Sequence, residues 1–231
     1  MERLLKSFVH VVDDDALFRS VVTPRLTRAG YEVAAYSSAQ DFLDRLPSED
    51  APSCILLDVR LGLTGLKLQS LLRERGSTLP VIFLTASVDL RLTVKAVKAG
   101  AHNFLGKAAS SDELLQAIKA AIADHAAICG RRSKLDKVRG LAAALTPRQW
   151  QVFELVVRGR INKEISHALG CTERTVKAHR QMVMEKMQVQ CFAELVSVAE
   201  RIGALQSGFE MQRFSRTDRG DSGIRSSLVR V

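Results

Sequence analysis

Five short strand-like runs, several of them nearly all apolar, recur through the first half of the chain, each separated from the next by a stretch of helical length. They are Phe8 to Val12, Tyr31 to Tyr36, Cys54 to Leu57, Pro80 to Leu84 and His102 to Gly106. Strands apolar on both sides belong in a parallel sheet that helices cover on both faces. The intervening stretches, Ala16 to Ala29, Ser38 to Leu46, Leu66 to Arg75, Leu90 to Ala99 and Asp112 to Ala127, supply those helices. Gly30 and Gly100 can end two of them in a left-handed conformation, and Ser111-Asp112 can cap the last. The pattern predicts a doubly wound α/β unit with a five-stranded parallel sheet, its functional site at the carboxyl ends of the strands.

The second half reads differently. Gly130 to Gly140, GRRSKLDKVRG, carries five basic residues and one acid with no sustained apolar face, and reads as a linker. Pro147 to Arg158, Asn162 to Leu169, Glu173 to Met187 and Phe192 to Ile202 predict a small all-α unit of four helices. The expected division is a first domain over 1–127, a linker over 128–140, a helical domain over 141–204 and a basic, mobile tail over 205–231. Residues 1–124 hold 15 Lys plus Arg against 15 Asp plus Glu, whereas residues 125–231 hold 19 against 10, so the whole formal charge of +9 lies in the second half. A neutral unit joined to a basic one points to a half that regulates or catalyses and a half that meets a polyanion, most often nucleic acid.

No apolar stretch approaches the roughly 20 residues of a membrane crossing. Met1 to His10 lacks the apolar length and cleavage site of an export signal. A cytoplasmic protein with no membrane partner is expected. Cys54, Cys129, Cys171 and Cys191 are widely spaced and read as unlinked thiols in a reducing compartment, and the five histidines show no metal-binding spacing.

Polar residues at the strand ends carry the chemistry. Asp13, Asp14 and Asp15 follow the first strand and Asp58 follows the third, positions that neighbour each other in such a sheet. Carboxylates gathered there call for a cation, and so few direct ligands suit Mg²⁺, which keeps several waters. Thr85 ends the fourth strand and Lys107 follows the fifth, adding a hydroxyl and an ammonium. A Mg²⁺-dependent phosphohydrolase with Asp58 as nucleophile is disfavoured, because Arg60 stands where such enzymes of the haloacid dehalogenase type carry their second acid. A nucleotide site lacks its Gly-rich loop. The chain is not expected to be an enzyme.

In the second half, Asn162 to Leu169, then Gly170-Cys171-Thr172, then a helix from Glu173 make a helix, short turn and helix. Gly170 can supply the left-handed turn and Thr172 the cap. Val176, Val183 and Met187, with His179, form an inner face. Lys177, Gln181 and Met184, beside Ala178 and Arg180, lie on another face, where side chains can read groove edges or bind phosphate.

VVDDD, LLDVR, LTAS and NFLGK resemble the receiver domain of two-component response regulators. LTPRQWQVFELVVRGRINKEISHALGCTERTVKAHRQMVMEKM resembles the LuxR-type helix-turn-helix, and the pair together resembles the NarL/FixJ family. The resemblance implies Asp58 as phosphoacceptor, with Asp13, Asp14, Asp58 and the backbone carbonyl of Arg60 holding Mg²⁺. Thr85, Phe104 and Lys107 would form the switch. It implies a sensor histidine kinase, promoter DNA and RNA polymerase as partners, and a homodimer formed on phosphorylation through residues 90–105. Lys177, Ala178 and Gln181 would face bases, while Asn162, Lys163, Thr175 and Arg180 would contact the DNA backbone. The alternative is a DNA-binding regulator whose receiver dimerises without phosphorylation.

Three departures from the family pattern stand out. Gly65 comes one position early and a proline is missing, which shortens the loop after Asp58. Ala108 replaces a proline that the family holds in a cis peptide, so a trans bond and a less firmly placed Lys107 are expected. Gln149 replaces an acid, so a helix-packing ion pair becomes a neutral hydrogen bond. Of Met182, Met184 and Met187, Met184 is expected to be the most exposed, and Trp150 belongs in the core.

Overall fold

The structure is a computed structural model that describes residues 6–61, 65–86 and 90–205. The tail expected to be mobile lies, beyond Leu205, outside the described residues. By its internal contacts the chain divides into two compact units, 1–133 and 134–231.

The first unit alternates strictly: β1 (Phe8–Val12), α1 (Ala16–Arg28), β2 (Glu32–Tyr36), α2 (Ala39–Asp44), β3 (Ser53–Asp58), α3 (Gly65–Glu74), β4 (Val81–Thr85), α4 (Leu90–Lys98), β5 (Asn103–Gly106) and α5 (Ser111–Ala143), whose residues from 134 onward belong to the second unit. The strands form one parallel sheet in the order β2-β1-β3-β4-β5. Because side chains alternate across a strand, each central strand feeds two cores. Val9, Val11, Cys54, Leu56, Ile82 and Leu84 pack with Val22 and Leu26 of α1 and Leu114 and Ile118 of α5. Val12, Ile55, Leu57, Val81 and Phe83 pack with Phe42 of α2, Leu68 and Leu72 of α3 and Ala96 of α4. Gly30 and Gly100 adopt φ of 95° and 85°, the left-handed ends that the sequence called for.

Two expectations at α5 need correction. Its cap is Ser110, not Ser111-Asp112: Ser110 Oγ accepts the Glu113 N–H at 3.2 Å. The helix also runs past Ala127 to Ala143, through the stretch read as lacking an apolar face. Leu135, Val138, Leu141 and Ala142, all within the second unit, are spaced by three or four residues, which makes a helical stripe, and they pack into that unit's own core. That burial outweighs the cost of about 1 kcal/mol for each of Gly130 and Gly140.

The second unit adds α6 (Pro147–Val157), α7 (Asn162–Leu169), α8 (Glu173–Lys186) and α9 (Phe192–Ile202) around a core of Trp150, Val152, Phe153, Val156, Ile165, Val176, Val183, Met187, Leu195 and Ile202. Thr146 and Gln149 close a reciprocal capping box at the start of α6. All four cysteines are free thiols. No helix among the described residues is long and apolar enough to cross a membrane.

Candidate functional site

Register brings the acids together. Val12 of β1 pairs with Leu57 of β3, so Asp13 and Asp58 emerge side by side where those strands end. Both are buried, at 1% and 5% exposure, while Asp14 is exposed. Carboxylate oxygens of Asp13, Asp14 and Asp58 all lie within 4.8 Å of one another. Asp15 does not join them. It caps α1, its Oδ1 accepting the Leu17 and Phe18 N–H groups at 2.9 and 3.2 Å. An acid immediately before a helical run is a cap signal, and here that role took the third aspartate.

Lys107 closes the pocket. Its Nζ donates to Asp13 Oδ1 at 2.9 Å and Asp58 Oδ2 at 3.0 Å, and stands 2.7 Å from Asp13 Oδ2. Its backbone N–H donates to the carbonyl of Thr85 at 2.7 Å, which ties the loop after β5 to the end of β4, where Thr85 is buried. Burial favours the neutral Asp13 carboxyl and raises its pKa, although Lys107 offsets part of that effect. Burial works against the charge on Lys107, but the bonds to Asp13 and Asp58 outweigh it and hold the ammonium above its ordinary range. No peptide bond among the described residues is cis, which matches the trans bond expected at Ala108. Lys107 is nevertheless tied to both acids.

Two further residues shape the pocket. Arg60 donates its backbone N–H to Asp58 Oδ1 at 2.9 Å. At Gly65 a Cβ would meet the Asp58 carbonyl oxygen at 2.6 Å, so a side chain there cannot coexist with the present loop. Residues 62–64 of the shortened loop lie outside the described residues. Phe104 on β5 is half-buried, its ring centroid 6.4 Å from that of Phe83. Sequence reasoning missed Arg19, which donates to the Asp13 carbonyl at 2.6 Å, and Phe18, whose ring lies beneath Lys107. Their positions on the first turn of α1 were the available signal.

The acids also fit a hard cation. Asp13 Oδ2 is buried and accepts no hydrogen bond of good geometry, and a set of two or three carboxylates leaves room for the waters that Mg²⁺ retains. Receiver domains bind Mg²⁺ at an acidic pocket of this kind.

In the second unit, α7 ends at Gly170, left-handed at φ 61°, and α8 starts at Thr172, whose Oγ1 accepts the Thr175 N–H at 3.2 Å. Val176, Val183 and Met187 are buried. Lys177, Ala178 and Gln181 are exposed on one side of α8, and Lys163 is exposed on α7. Arg180 donates to Asn162 Oδ1 at 2.9 Å, so these two residues meet each other. Thr175 is half-buried beside its cap. Met184 is the misjudged residue: it packs against the core, and Met182 is the exposed methionine, at 37%. At about 100° per residue Met184 lies next to the stripe of Val176 and Val183, whereas Met182 lies on its far flank. Gln149 behaves as expected, its Oε1 accepting from Lys186 Nζ at 2.9 Å in a neutral-acceptor bond. Trp150 is core.

This architecture, an acidic strand-end pocket followed by a helix-turn-helix, defines a response regulator. Residues 9–119 match the response regulator receiver domain, and residues 143–199 match the luxR family of bacterial regulatory proteins. The chain belongs to the NarL/FixJ family of response regulators, which are two-component transcriptional regulators that bind DNA. It is 37% identical over 203 residues to Nodulation protein W of Bradyrhizobium diazoefficiens, covering 87% of this chain and 89% of that one. It is 35% identical over 201 residues to the transcriptional regulatory protein FixJ of the same organism, covering 87% and 98%. Among solved structures, the response regulator StyR superposes with a TM-score of 0.74 at 38% identity, covering 85% of this chain and 99% of that one.

Proposed function

We propose that Asp58 accepts a phosphoryl group from a sensor histidine kinase and that this modification controls promoter binding by the helix-turn-helix. The observation that carries the reading is Lys107 bridging two buried carboxylates at the ends of β1 and β3. An Asp58 oxygen attacks the phosphorus of the donor phosphohistidine. The new O–P bond forms as the P–N bond breaks, and the electron pair stays on the imidazole nitrogen, which then takes a proton. Asp13, Asp14, Asp58 and the Arg60 carbonyl would hold Mg²⁺, which supplies positive charge against the phosphoryl oxygens. Lys107 transfers its contact from carboxylate to phosphoryl oxygen, and the Thr85 hydroxyl bonds the same group. Phe104 changes rotamer in response, and the surface over 90–105 pairs two receivers.

In this reading the domains span 1–127, 128–140, 141–204 and 205–231, and the protein works in the cytoplasm beside RNA polymerase. Lys177, Ala178 and Gln181 face base edges, while Asn162, Lys163, Thr175 and Arg180 hold the DNA backbone. Twofold pairing requires two symmetry-related half-sites. The test is mass spectrometry and gel filtration of wild type and Asp58→Asn, each incubated with Mg²⁺ and acetyl phosphate. A phosphoryl adduct and a dimer shift in wild type alone are expected. Wild type without an adduct would leave the phosphorylation-independent receiver as the better reading.

A further inference from the structure

Ala108 removes a rigid element beside Lys107, yet the ammonium stays in place over two acids. Another support stands beneath it. Lys107 Nζ lies 4.8 Å from the centroid of the Phe18 ring. That is within the roughly 6 Å at which a cation is drawn to the negative face of an aromatic ring. The Lys107 side chain is only 15% exposed, so water screens the attraction weakly.

Phe18 is itself held from two sides. Its backbone N–H is bonded by the Asp15 carboxylate, which fixes the first turn of α1, and its ring packs against the core shared by α1 and α5. Phe18 and Lys107 also both line a cavity of about 130 Å³ with Val21, Leu84, Ala109 and Leu114. On that side the loop after β5 leaves the lysine without close packing. The ring therefore stands as the fixed apolar contact of the ammonium, and the order Asp15, Phe18, Lys107, Asp58 links the cap of α1 to the phosphoacceptor.

We infer that Phe18 is a positioning residue for phosphoryl transfer, its ring face holding the Lys107 ammonium over Asp13 and Asp58. The inference rests on the reading of Asp58 as phosphoacceptor. Phe18 touches neither donor nor acceptor; it acts through Lys107.

The experiment places 4-fluoro- and 3,4,5-trifluorophenylalanine site-specifically at position 18 of the full chain. Fluorination drains the ring face of negative charge with little change of shape. Phosphoryl uptake from acetyl phosphate with Mg²⁺ is followed by mass spectrometry across donor concentrations. The maximal rate should fall stepwise with fluorination, about threefold to tenfold in total. The KM for acetyl phosphate should stay unchanged, and Phe18→Trp should restore the rate. A flat series beside a slow Phe18→Leu would mean that the ring only fills space, and would overturn the proposal. Failure of wild type to take up phosphoryl would instead sink the Asp58 reading, and this inference with it.

Discussion

In the N-terminal unit the charges that matter are buried and tied to one another: Lys107 bridges Asp13 and Asp58 across three strand ends. In the C-terminal unit Lys163, Lys177 and Gln181 stand exposed to solvent. Buried charges interact strongly at short range and salt reaches them poorly; exposed ones act over a Debye length and are screened. The receiver is thus built for precision, and the helix-turn-helix for attraction to a polyanion that it must also release.

The largest contrast should appear in salt. If the dimer neutralises about six to ten phosphates, DNA affinity should fall by about 10³-fold or more between 50 and 200 mM salt. The rate of phosphoryl uptake at Asp58 with saturating Mg²⁺ should change by less than about twofold, since burial keeps the screening ions out of the pocket. Fluorescence anisotropy on promoter DNA and mass spectrometry on the same samples give the two numbers. Equal salt sensitivity would break the comparison.

Acid should act on the buried side next. His10 sits within β1 against Tyr36 and Phe42, and burial lowers its pKa to about 4 from an ordinary 6.5. Between those values the unfolded chain binds a proton that the folded strand refuses. Stability of the first unit is therefore full above pH 6.5 and is lost progressively as pH falls towards 4, by about 3 kcal/mol in all. Hydrogen exchange at the β1 and β3 amides should report the loss, and His10→Leu should reduce it, leaving the share of His125, whose pKa burial also lowers and which accepts the Ser53 N–H of β3. A slope that survives His10→Leu undiminished would assign the effect to other groups.

What could be read from residues alone follows from range. The central strands announce themselves because both faces are apolar, and Asp13, Asp58, Thr85 and Lys107 because each stands at a strand end. Gly170 and Thr172 declare the turn of the helix-turn-helix by local rules. The missed features depend on contacts between distant segments. Nothing near residue 18 says that its ring will meet residue 107. Leu135 and Val138 look scattered until the helices that follow them in the chain offer a core to cover them. Asp15 was legible as a cap, but three adjacent acids drew attention to their charge instead.

Glycine substitutions should separate the units by sign. At Gly65 an added methyl would press on the Asp58 and Val59 carbonyl oxygens at 2.6 and 3.0 Å. Gly65→Ala should therefore cost about 1 to 3 kcal/mol and slow phosphoryl uptake. A Cβ at Gly140, in the last turn of α5, meets nothing within 4 Å, so Gly140→Ala should stabilise by about 0.5 kcal/mol. Urea denaturation of both variants checks the pair. Equal signs would mean that the loop after Asp58 yields more easily than its backbone contacts imply.

One more substitution sharpens the comparison by carrying the first unit's style of bonding into the second. Gln149 is buried at the start of α6, where its Oε1 accepts from Lys186 Nζ and from the Thr146 N–H. Gln149→Glu would keep both acceptor contacts, turn the first into an ion pair and place a negative charge at a helix N-terminus. It would lose the Nε2 contact to Met182 Sδ at 3.5 Å and bear a desolvation cost. The balance should stabilise the unit by about 1 kcal/mol at neutral pH. With Lys186 as partner the new carboxylate's pKa would lie below its unfolded value, so the gain should be present above pH of about 4.3 and disappear as pH falls through the folded value. Urea denaturation of Gln149→Glu at pH 7 and pH 3 measures it, and a variant less stable at pH 7 would show that this site is too dry for a charge even with a lysine beside it.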